Sequence, residues 1–129
     1  MNYQSYLISI IFAAKIIVAT GYNRKNNDYY DVKETEIIDL VNPSNECQPW
    51  ANHPVGTSAA SGGILDNSLL ICGGYTWSLV YSYTDKCFVI DQSNSNEGTQ
   101  KLPTKSGSSG STVINQTLFM TGGINGKSI

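Results

Sequence analysis

Three short apolar runs, each ending in glycine, constrain the fold of this chain more than any other feature. The runs are Ile16–Ala19 before Thr20-Gly21, Leu69–Cys72 before Gly73-Gly74, and Leu118–Thr121 before Gly122-Gly123. Three or four apolar residues between turn signals are typical of a strand that is covered on both faces, and they are too few for a helix. The terminal glycines permit positive φ, so the strand can end in a crowded turn.

The spacing of the runs indicates an internal repeat. Gly21, Gly74 and Gly123 lie about 50 residues apart, which is the period of a four-stranded propeller blade. The flanks repeat with the same spacing. Asp66-Asn67 and Asn115-Gln116 are turn signals before the second and third runs. The segments Glu36–Asp39 and Phe88–Asp91, which both end in Ile-Asp, follow the first and second runs.

This arrangement resembles the kelch repeat, in which four hydrophobic residues precede a glycine pair and another strand follows after a loop. The resemblance covers most of residues 15–123, and the first copy departs from it by having Thr20-Gly21 in place of two glycines. The matching residues are Gly21, Gly73, Gly74, Gly122 and Gly123. The resemblance implies an all-β fold with about two to two-and-a-half blades of an incomplete β-propeller, in residues 15–50, 57–102 and 107–123, followed by a tail at 124–129.

A ring cannot close with so few blades, because propellers have about four to eight. The chain is therefore either a fragment of a longer protein or completes its ring by assembling with other copies. The repeat also predicts where strands and loops lie. We expect a polar loop at Tyr22–Lys33, strands at Glu34–Val41 and Cys47–Trp50, a turn at Ser93–Gly98 and an outer strand at Thr99–Leu102.

The N-terminal segment has the character of a secretory signal. The apolar stretch Tyr6–Ala14 has the length of a signal-peptide core and ends in small residues, and the repeat begins directly after it. We therefore expect residues 1–14 to be a signal peptide and the protein to be secreted, the alternative being an ordinary buried strand of a cytoplasmic protein. Lys15 interrupts the stretch, so no stable membrane span is expected.

The cysteines bear on the compartment too. Cys72 lies near the end of one strand and Cys87 near the start of the next, and the first repeat has Ala19 and Thr35 at those positions. Because both sulfurs are absent together, we predict a disulfide between Cys72 and Cys87, with Cys47 left over; two buried free thiols are the alternative. Asn115-Gln116-Thr117 is a glycosylation sequon on a predicted hairpin.

Catalytic and nucleic-acid functions find no support in the residues. With a net charge of −2 and 14% charged residues, the chain has no basic patch for nucleic acid. His53 is the single histidine, and the cysteines lack metal-ligand spacing, so no metal, cofactor or enzymatic activity is expected. The kelch resemblance extends to galactose oxidase, so a fragment of a copper enzyme of that type is an alternative; its remaining ligands would come from other blades.

Binding is the function that remains. The loops after the glycine-terminated strands would lie on the same face of a propeller, and they are rich in aromatic residues that favour recognition. The candidate binding residues are Tyr22, Tyr29, Tyr30, Tyr75, Trp77, Tyr81 and Tyr83. We therefore expect a non-enzymatic module that binds a protein or a glycan; an intracellular kelch adaptor is an alternative, and simple packing of these aromatics between blades is another.

Overall fold

The structure of the protein is a computed structural model that describes residues 8–12, 14–26, 28–42, 47–77 and 82–125. These residues are all-β, with twelve strands and no helix among them. The strands are β1 (Ile8–Phe12), β2 (Lys15–Lys25), β3 (Asp28–Asp39), β4 (Gln48–Pro49), β5 (Ser61–Leu65), β6 (Ser68–Cys72), β7 (Tyr75–Thr76), β8 (Ser82–Tyr83), β9 (Lys86–Ile90), β10 (Ser95–Lys101), β11 (Gly110–Ile114) and β12 (Thr117–Thr121).

The strands form separate antiparallel sheets in the order of the repeat. Sheet 1 has the order β1-β2-β3-β4, sheet 2 has the order β5-β6-β9-β10, and sheet 3 consists of β11 and β12. A small separate hairpin of β7 and β8 follows Gly73-Gly74. The three glycine-terminated runs are thus the second strand of three different sheets, and β5 contacts both β1 and β11, so the inner strands are neighbours.

The N-terminal segment has a place in sheet 1. Ile8–Phe12 pairs antiparallel with β2, so that Ile8 lies opposite Ala19 and Phe12 opposite Lys15. The expectation that the segment before Lys15 stands outside the first blade is therefore wrong, because β1 supplies the inner strand that the repeat requires. A secretory role for residues 1–14 stays a prediction.

The segment Tyr22–Lys33, expected to be a polar loop, is a long hairpin instead. Strands β2 and β3 continue beyond the residues that pair with β1 and β4, and the chain turns between Lys25 and Asp28, with Asn26 at φ 52°. Tyr22 lies opposite Asp31, and Arg24 lies opposite Tyr29. Paired residues share one face of an antiparallel ladder, so cross-strand contacts order this polar segment.

The departure of the first repeat from the glycine pair is accommodated by hydrogen bonds. Thr20 stands at φ 53°, where Gly73 stands at φ 71°, and a β-branched residue is rare in this left-handed region. The Thr20 hydroxyl donates to the Thr57 carbonyl oxygen and accepts the backbone N–H groups of Thr57 at 2.9 Å and Gly21 at 2.7 Å. These hydrogen bonds stabilise Thr20 in the left-handed conformation, although a threonine by itself prefers negative φ.

Sheet 2 follows the repeat closely except at its outer edge. Asp66 and Asn67 form the predicted tight turn at φ 46° and 63°. The expected turn at Ser93–Gly98 is shorter, and β10 begins at Ser95 rather than at Thr99. The reason is Asp91, whose carboxylate accepts the N–H groups of Ser93 and Asn94 and so closes the turn at once; these bonds hold the pKa of Asp91 below its usual value.

The core lies between sheets 1 and 2. Leu69, Ile71 and Ile90 of sheet 2 are completely buried against Ile17 and Ala19 of sheet 1. Burial of each Leu or Ile side chain stabilises the fold by roughly 1.5–3 kcal/mol. Hydrophobic contact between consecutive sheets, rather than within one sheet, therefore holds the repeats together.

The predicted disulfide is confirmed. Cys72 lies directly opposite Cys87 in the ladder of β6 and β9, and their Cα atoms are 4.0 Å apart. Sheet 1 places Ala19 opposite Thr35 at the same position, as the repeat predicts. Cys47 is a free, exposed thiol beside β4.

Sheet 3 is a two-stranded hairpin in the part of the chain that the structure describes. Asn115 and Gln116 form its turn at φ 47° and 57°, and both are exposed, so the sequon lies on the expected hairpin. Ile124, expected to belong to a tail, exchanges backbone hydrogen bonds with Gly107 at 2.8 and 3.0 Å. The corresponding bridge in the preceding repeat joins Ser58 and Tyr75, so the repeat extends one residue past Gly123.

Candidate aromatic recognition site

The long hairpin of sheet 1 presents one aromatic face to sheet 2. Because paired residues share a face, Tyr22, Asp31, Arg24 and Tyr29 point to the same side of the hairpin. Tyr30 is adjacent to Tyr29 and pairs with Asn23, so alternation along the strand turns it to the opposite side. The hairpin thus separates two neighbouring tyrosines that the sequence places together.

The loop after Gly73-Gly74 supplies the other half of the site. Tyr75 exchanges backbone hydrogen bonds with Ser58 at 2.8 and 3.0 Å, which fixes where the loop leaves the sheet. Gly74 makes this possible, because its φ is +92° and an added Cβ would lie 2.7 Å from the carbonyl oxygen of Ser58. Tyr75 then pairs with Tyr83 across the small hairpin, and Trp77 follows β7 directly.

Five rings form one continuous aromatic cluster, two from the long hairpin of sheet 1 and three from the segment after Gly73-Gly74. They are Tyr22, Tyr29, Tyr75, Trp77 and Tyr83. Tyr29 and Trp77 stack with their centroids 4.5 Å apart and an interplanar angle of 17°. Tyr22 lies 5.7 Å from Tyr29 and 5.8 Å from Trp77. Tyr75 contacts Trp77 edge-on at 5.4 Å and Tyr83 at 5.7 Å. Aromatic pairs at such distances stabilise the fold by more than the burial of their apolar surface area alone would.

Two charged residues of the hairpin position this cluster. The Asp31 carboxylate accepts the backbone N–H of Trp77, with oxygen distances of 3.0 and 3.2 Å, and so joins the loop of sheet 2 to the hairpin of sheet 1. The Arg24 guanidinium lies 5.4 Å from the centroid of the Tyr29 ring, a cation–π contact. Both residues lie in the segment Tyr22–Lys33, which was expected to be a polar loop; the alternation Tyr22-x-Arg24 and Tyr29-x-Asp31 is the sequence signal for a hairpin.

The cluster is buried at its base and open at its rim. Tyr22 is 7% exposed and serves as packing, whereas Tyr29 is 38% exposed and Tyr75, Trp77 and Tyr83 are partly buried. The structure therefore brings together five of the seven candidate binding residues. Tyr30, 43% exposed, faces away from them, and Tyr81 lies outside the described residues.

His53 has a structural role between the sheets. Its side chain is fully buried and lies edge-on to Phe88 with the ring centroids 4.5 Å apart. Nδ1 accepts the backbone N–H groups of Gly56 at 2.9 Å and Val55 at 3.3 Å, and the His53 backbone N–H donates to Lys33. Desolvation, followed by the positive charge of Lys33, lowers the pKa of His53 from 6.5 to about 4. The imidazole is therefore neutral at physiological pH.

This burial predicts that the fold becomes less stable as the solution is acidified. The unfolded chain takes up a proton on His53 near pH 6.5, whereas the folded protein does so only near pH 4. The stabilisation is fully present above pH 6.5 and is lost as the pH falls toward 4, because the unfolded state then binds more protons. Urea unfolding at about pH 7.5 and about pH 5 should show a loss of about 2 kcal/mol.

The variant His53→Gln is the control for this pH dependence. Glutamine retains an acceptor for the turn but does not titrate, so its unfolding free energy should vary little between the two pH values. Asp39 and Asp91 do not interfere with this comparison. Backbone hydrogen bonds lower the pKa values of both carboxyl groups, so the pH dependence that they add lies below the two pH values compared. If the unfolding free energy of His53→Gln falls with pH as much as that of the unmodified chain, another group causes the pH dependence.

The described residues contain no group of three or more His, Cys, Asp and Glu side chains placed to hold a metal ion. A groove of about 210 Å³ on the far face of sheet 2 is lined by Leu65, Leu70, Val89 and neutral residues, so its walls supply no acid or base. Nowhere in the described ranges is there a helix long and apolar enough to cross a membrane.

Comparison with known proteins identifies a similar fold but no family. No family model matches the chain, and no curated protein sequence matches it. Among solved structures, the chain is similar to one described as "Structure of YjhT", with a TM-score of 0.77 and 15% sequence identity. The match covers 94% of this chain and 39% of that one. At this identity the likeness concerns the fold alone.

Proposed function

We propose that this chain is part of a kelch-type β-propeller and acts as a non-enzymatic binding module for a protein or a glycan. The observation that carries the proposal is the convergence of the aromatic cluster at the junction of sheets 1 and 2. Tyr and Trp provide rigid contact area with a polar tip, at low entropic cost, and such residues dominate recognition surfaces. The groups at the rim, Tyr29 and Arg24, are exposed.

The architecture supports the propeller assignment. Glycine-terminated strands occupy the second position of successive sheets, the inner strands are neighbours, and the core lies between sheets. Blades of a propeller bury their hydrophobic faces against each other in this way. The overlap with a solved chain at a TM-score of 0.77 over 39% of its length supports a longer array of such sheets.

Secretion belongs to the same proposal. Disulfides persist in oxidising compartments, and the bond between Cys72 and Cys87 is compatible with one. The exposed turn at Asn115 is accessible to glycosylation in that compartment.

A matched pair of tyrosine variants tests the recognition site. Tyr29 and Tyr30 are adjacent and similarly exposed, but Tyr29 belongs to the aromatic cluster and Tyr30 faces away from it. Ligands would first be selected with the unmodified chain from an oligosaccharide array and a displayed peptide library. We expect Tyr29→Ala to weaken binding about tenfold and Tyr30→Ala to change it less than about twofold, measured by titration calorimetry.

The result separates recognition from packing. Equal effects of the two variants would place the ligand elsewhere on the hairpin, and no selected ligand from either collection would mean that the aromatics only pack between sheets. Melting temperatures of both variants should be compared, since removal of a stacked ring also costs stability.

A further inference from the structure

The connection from sheet 1 to sheet 2 contains a tight turn, residues 53–58, which we call the linking turn. His53 closes this turn with its own side chain, because its Nδ1 accepts the backbone N–H groups of Gly56 at 2.9 Å and Val55 at 3.3 Å. Since Nδ1 accepts hydrogen bonds, the neutral imidazole has its proton on Nε2. The linking turn therefore depends on a lone pair that a second proton would occupy.

One end of the linking turn packs on the long hairpin of sheet 1. The His53 backbone N–H donates to the carbonyl oxygen of Lys33 at 2.7 Å. Gly56 lies so close to the same strand that an added Cβ would be 2.9 Å from the Cβ of Asp31. The Asp31 carboxylate in turn accepts the backbone N–H of Trp77. The linking turn thus supports the hairpin residue that positions Trp77 in the aromatic cluster.

The other end of the linking turn positions the second half of the cluster. Ser58 exchanges backbone hydrogen bonds with Tyr75 at 2.8 and 3.0 Å. The carbonyl oxygen of Thr57 accepts the N–H of Gly21 at 3.0 Å, and Gly21 directly precedes Tyr22. The linking turn therefore contacts both segments that contribute rings to the aromatic cluster.

The surroundings of His53 favour its neutral form. Burial first, and then the positive charge of Lys33, disfavour the imidazolium. On sheet 2 the imidazole packs on Phe88, which is uncharged. The charged residues on the faces that meet His53 are Lys33 and Asp31 of β3, Lys86 of β9 and Glu97 of β10, and the last two form an ion pair with each other at 2.7 Å.

We propose that protonation of His53 opens the linking turn and separates the two halves of the aromatic cluster, so that acid weakens binding at this site. A protonated Nδ1 is a donor, and it cannot accept the two backbone N–H groups that close the turn. An open turn no longer supports Asp31 or Tyr75, through which it contacts the two halves. The effect on binding rests on the function proposed above, whereas the opening of the turn does not.

Hydrogen exchange of single amides, followed by NMR on the full 129-residue chain, measures this opening. The pKa of His53 is about 4 in the closed turn and 6.5 in solvent, so opening should become about thirtyfold more favourable between about pH 7.5 and about pH 5. The protection factors of the Gly56, Tyr75 and Trp77 amides should therefore fall together by about thirtyfold. A fall at Gly56 alone would overturn the proposal, because the turn would then open without disturbing the cluster.

The next repeat contains a matched control. Leu102 stands where the first repeat has His53, and the bridge between Gly107 and Ile124 corresponds to the bridge at Tyr75. Leucine does not titrate, so the protection factors of the Gly107 and Ile124 amides should change less than about twofold over the same pH range. An equal fall at these two amides would mean that acid opens the whole fold, and it would overturn the proposal.

Two variants assign the pH dependence to one group. His53→Asn retains a side-chain oxygen as acceptor and does not titrate, so its linking turn should have the same protection at both pH values; His53→Gln replaces this variant if it unfolds. Asp31→Asn retains an oxygen acceptor for the N–H of Trp77 and should lose protection with acid as the unmodified chain does. Acid-dependent protection without His53, or its absence in Asp31→Asn, would overturn the proposal.

The effect on binding is tested by reciprocal linkage. The probe is the oligosaccharide or peptide selected with the unmodified chain. At about 100 times its Kd and about pH 7.5, it should raise the protection of the Gly56 amide about hundredfold, although Gly56 lies outside the cluster. A probe that binds without this rise would overturn the regulation of the site. Failure to select any probe would overturn the proposed function but not the acid opening of the turn, which the exchange data decide.

Discussion

Replacing Gly73 with alanine is expected to destabilise the fold by about 4 kcal/mol, whereas the same change at Gly122 should cost only about 1 kcal/mol. The two glycines occupy the same position of successive repeats and have nearly the same φ, +71° and +72°. Both substitutions therefore place a Cβ in the left-handed region, and this common cost cancels in the comparison. The difference between them reports on the surroundings alone.

Those surroundings differ sharply. A Cβ at Gly73 would overlap the backbone carbonyl oxygen of Ser106 and lie 3.0 Å from a methyl group of Leu102, whereas a Cβ at Gly122 would meet no atom of the described residues within 4 Å. The Ser106 carbonyl oxygen cannot move away freely, because it accepts the N–H of Gly74 at 2.7 Å, and the N–H of Ser106 donates to the Thr84 carbonyl oxygen at 3.2 Å. Relief of the overlap would break these bonds.

Denaturant unfolding of Gly73→Ala, Gly122→Ala and the unmodified chain measures both values. Equal losses of unfolding free energy in the two variants would mean that backbone conformation alone selects glycine here. A change in the slope of unfolding free energy against denaturant concentration in Gly73→Ala would instead show that the variant alters the compactness of the denatured or the native state. Gly122→Ala serves as the matched control throughout.

The difference between Gly73 and Gly122 also shows which parts of the structure can be predicted from the sequence. The repeat of apolar run and glycine predicted which strands are equivalent, and it placed β2, β6 and β12 correctly in three sheets. It could not separate Gly73 from Gly122, because the crowding at Gly73 comes from Ser106, a residue in the connection to the next repeat. Local sequence predicts backbone conformation, whereas close approach between distant segments depends on packing.

The hairpin of sheet 1 shows a second feature that the sequence did not predict. Asn, Asp, Lys and Arg in Tyr22–Lys33 favour a loop by composition, yet cross-strand pairing and the stack of Tyr29 on Trp77 order the segment. The aromatic members of the site could be selected by residue type and by their place after the glycines. The opposite orientation of Tyr30 and the role of Asp31 depended on register, which is defined only once the hairpin is recognised.

Removal of the disulfide is expected to cost about 3 kcal/mol, the value for a closed loop of about 15 residues. The informative variant is Cys72→Ala combined with Cys87→Thr, because sheet 1 has Ala19 and Thr35 in the same paired position. Ala19 and Thr35 are each 1% exposed, and Cys72 and Cys87 are 3% and 4% exposed, so the replacement pair suits the same buried setting. The loss then reflects the cross-link more than the packing.

Denaturant unfolding with and without a reductant completes this test. The reductant should destabilise the unmodified chain by about the same 3 kcal/mol and leave the double variant unchanged. Cys47→Ser is the control: Cys47 is exposed, and desolvation together with the charge and hydrogen bond of Glu36 raises its pKa, which disfavours the thiolate needed for exchange. It should therefore unfold like the unmodified chain in both conditions. A double variant as stable as the oxidised protein would mean that β6 and β9 hold together without the bond, as β2 and β3 do in sheet 1.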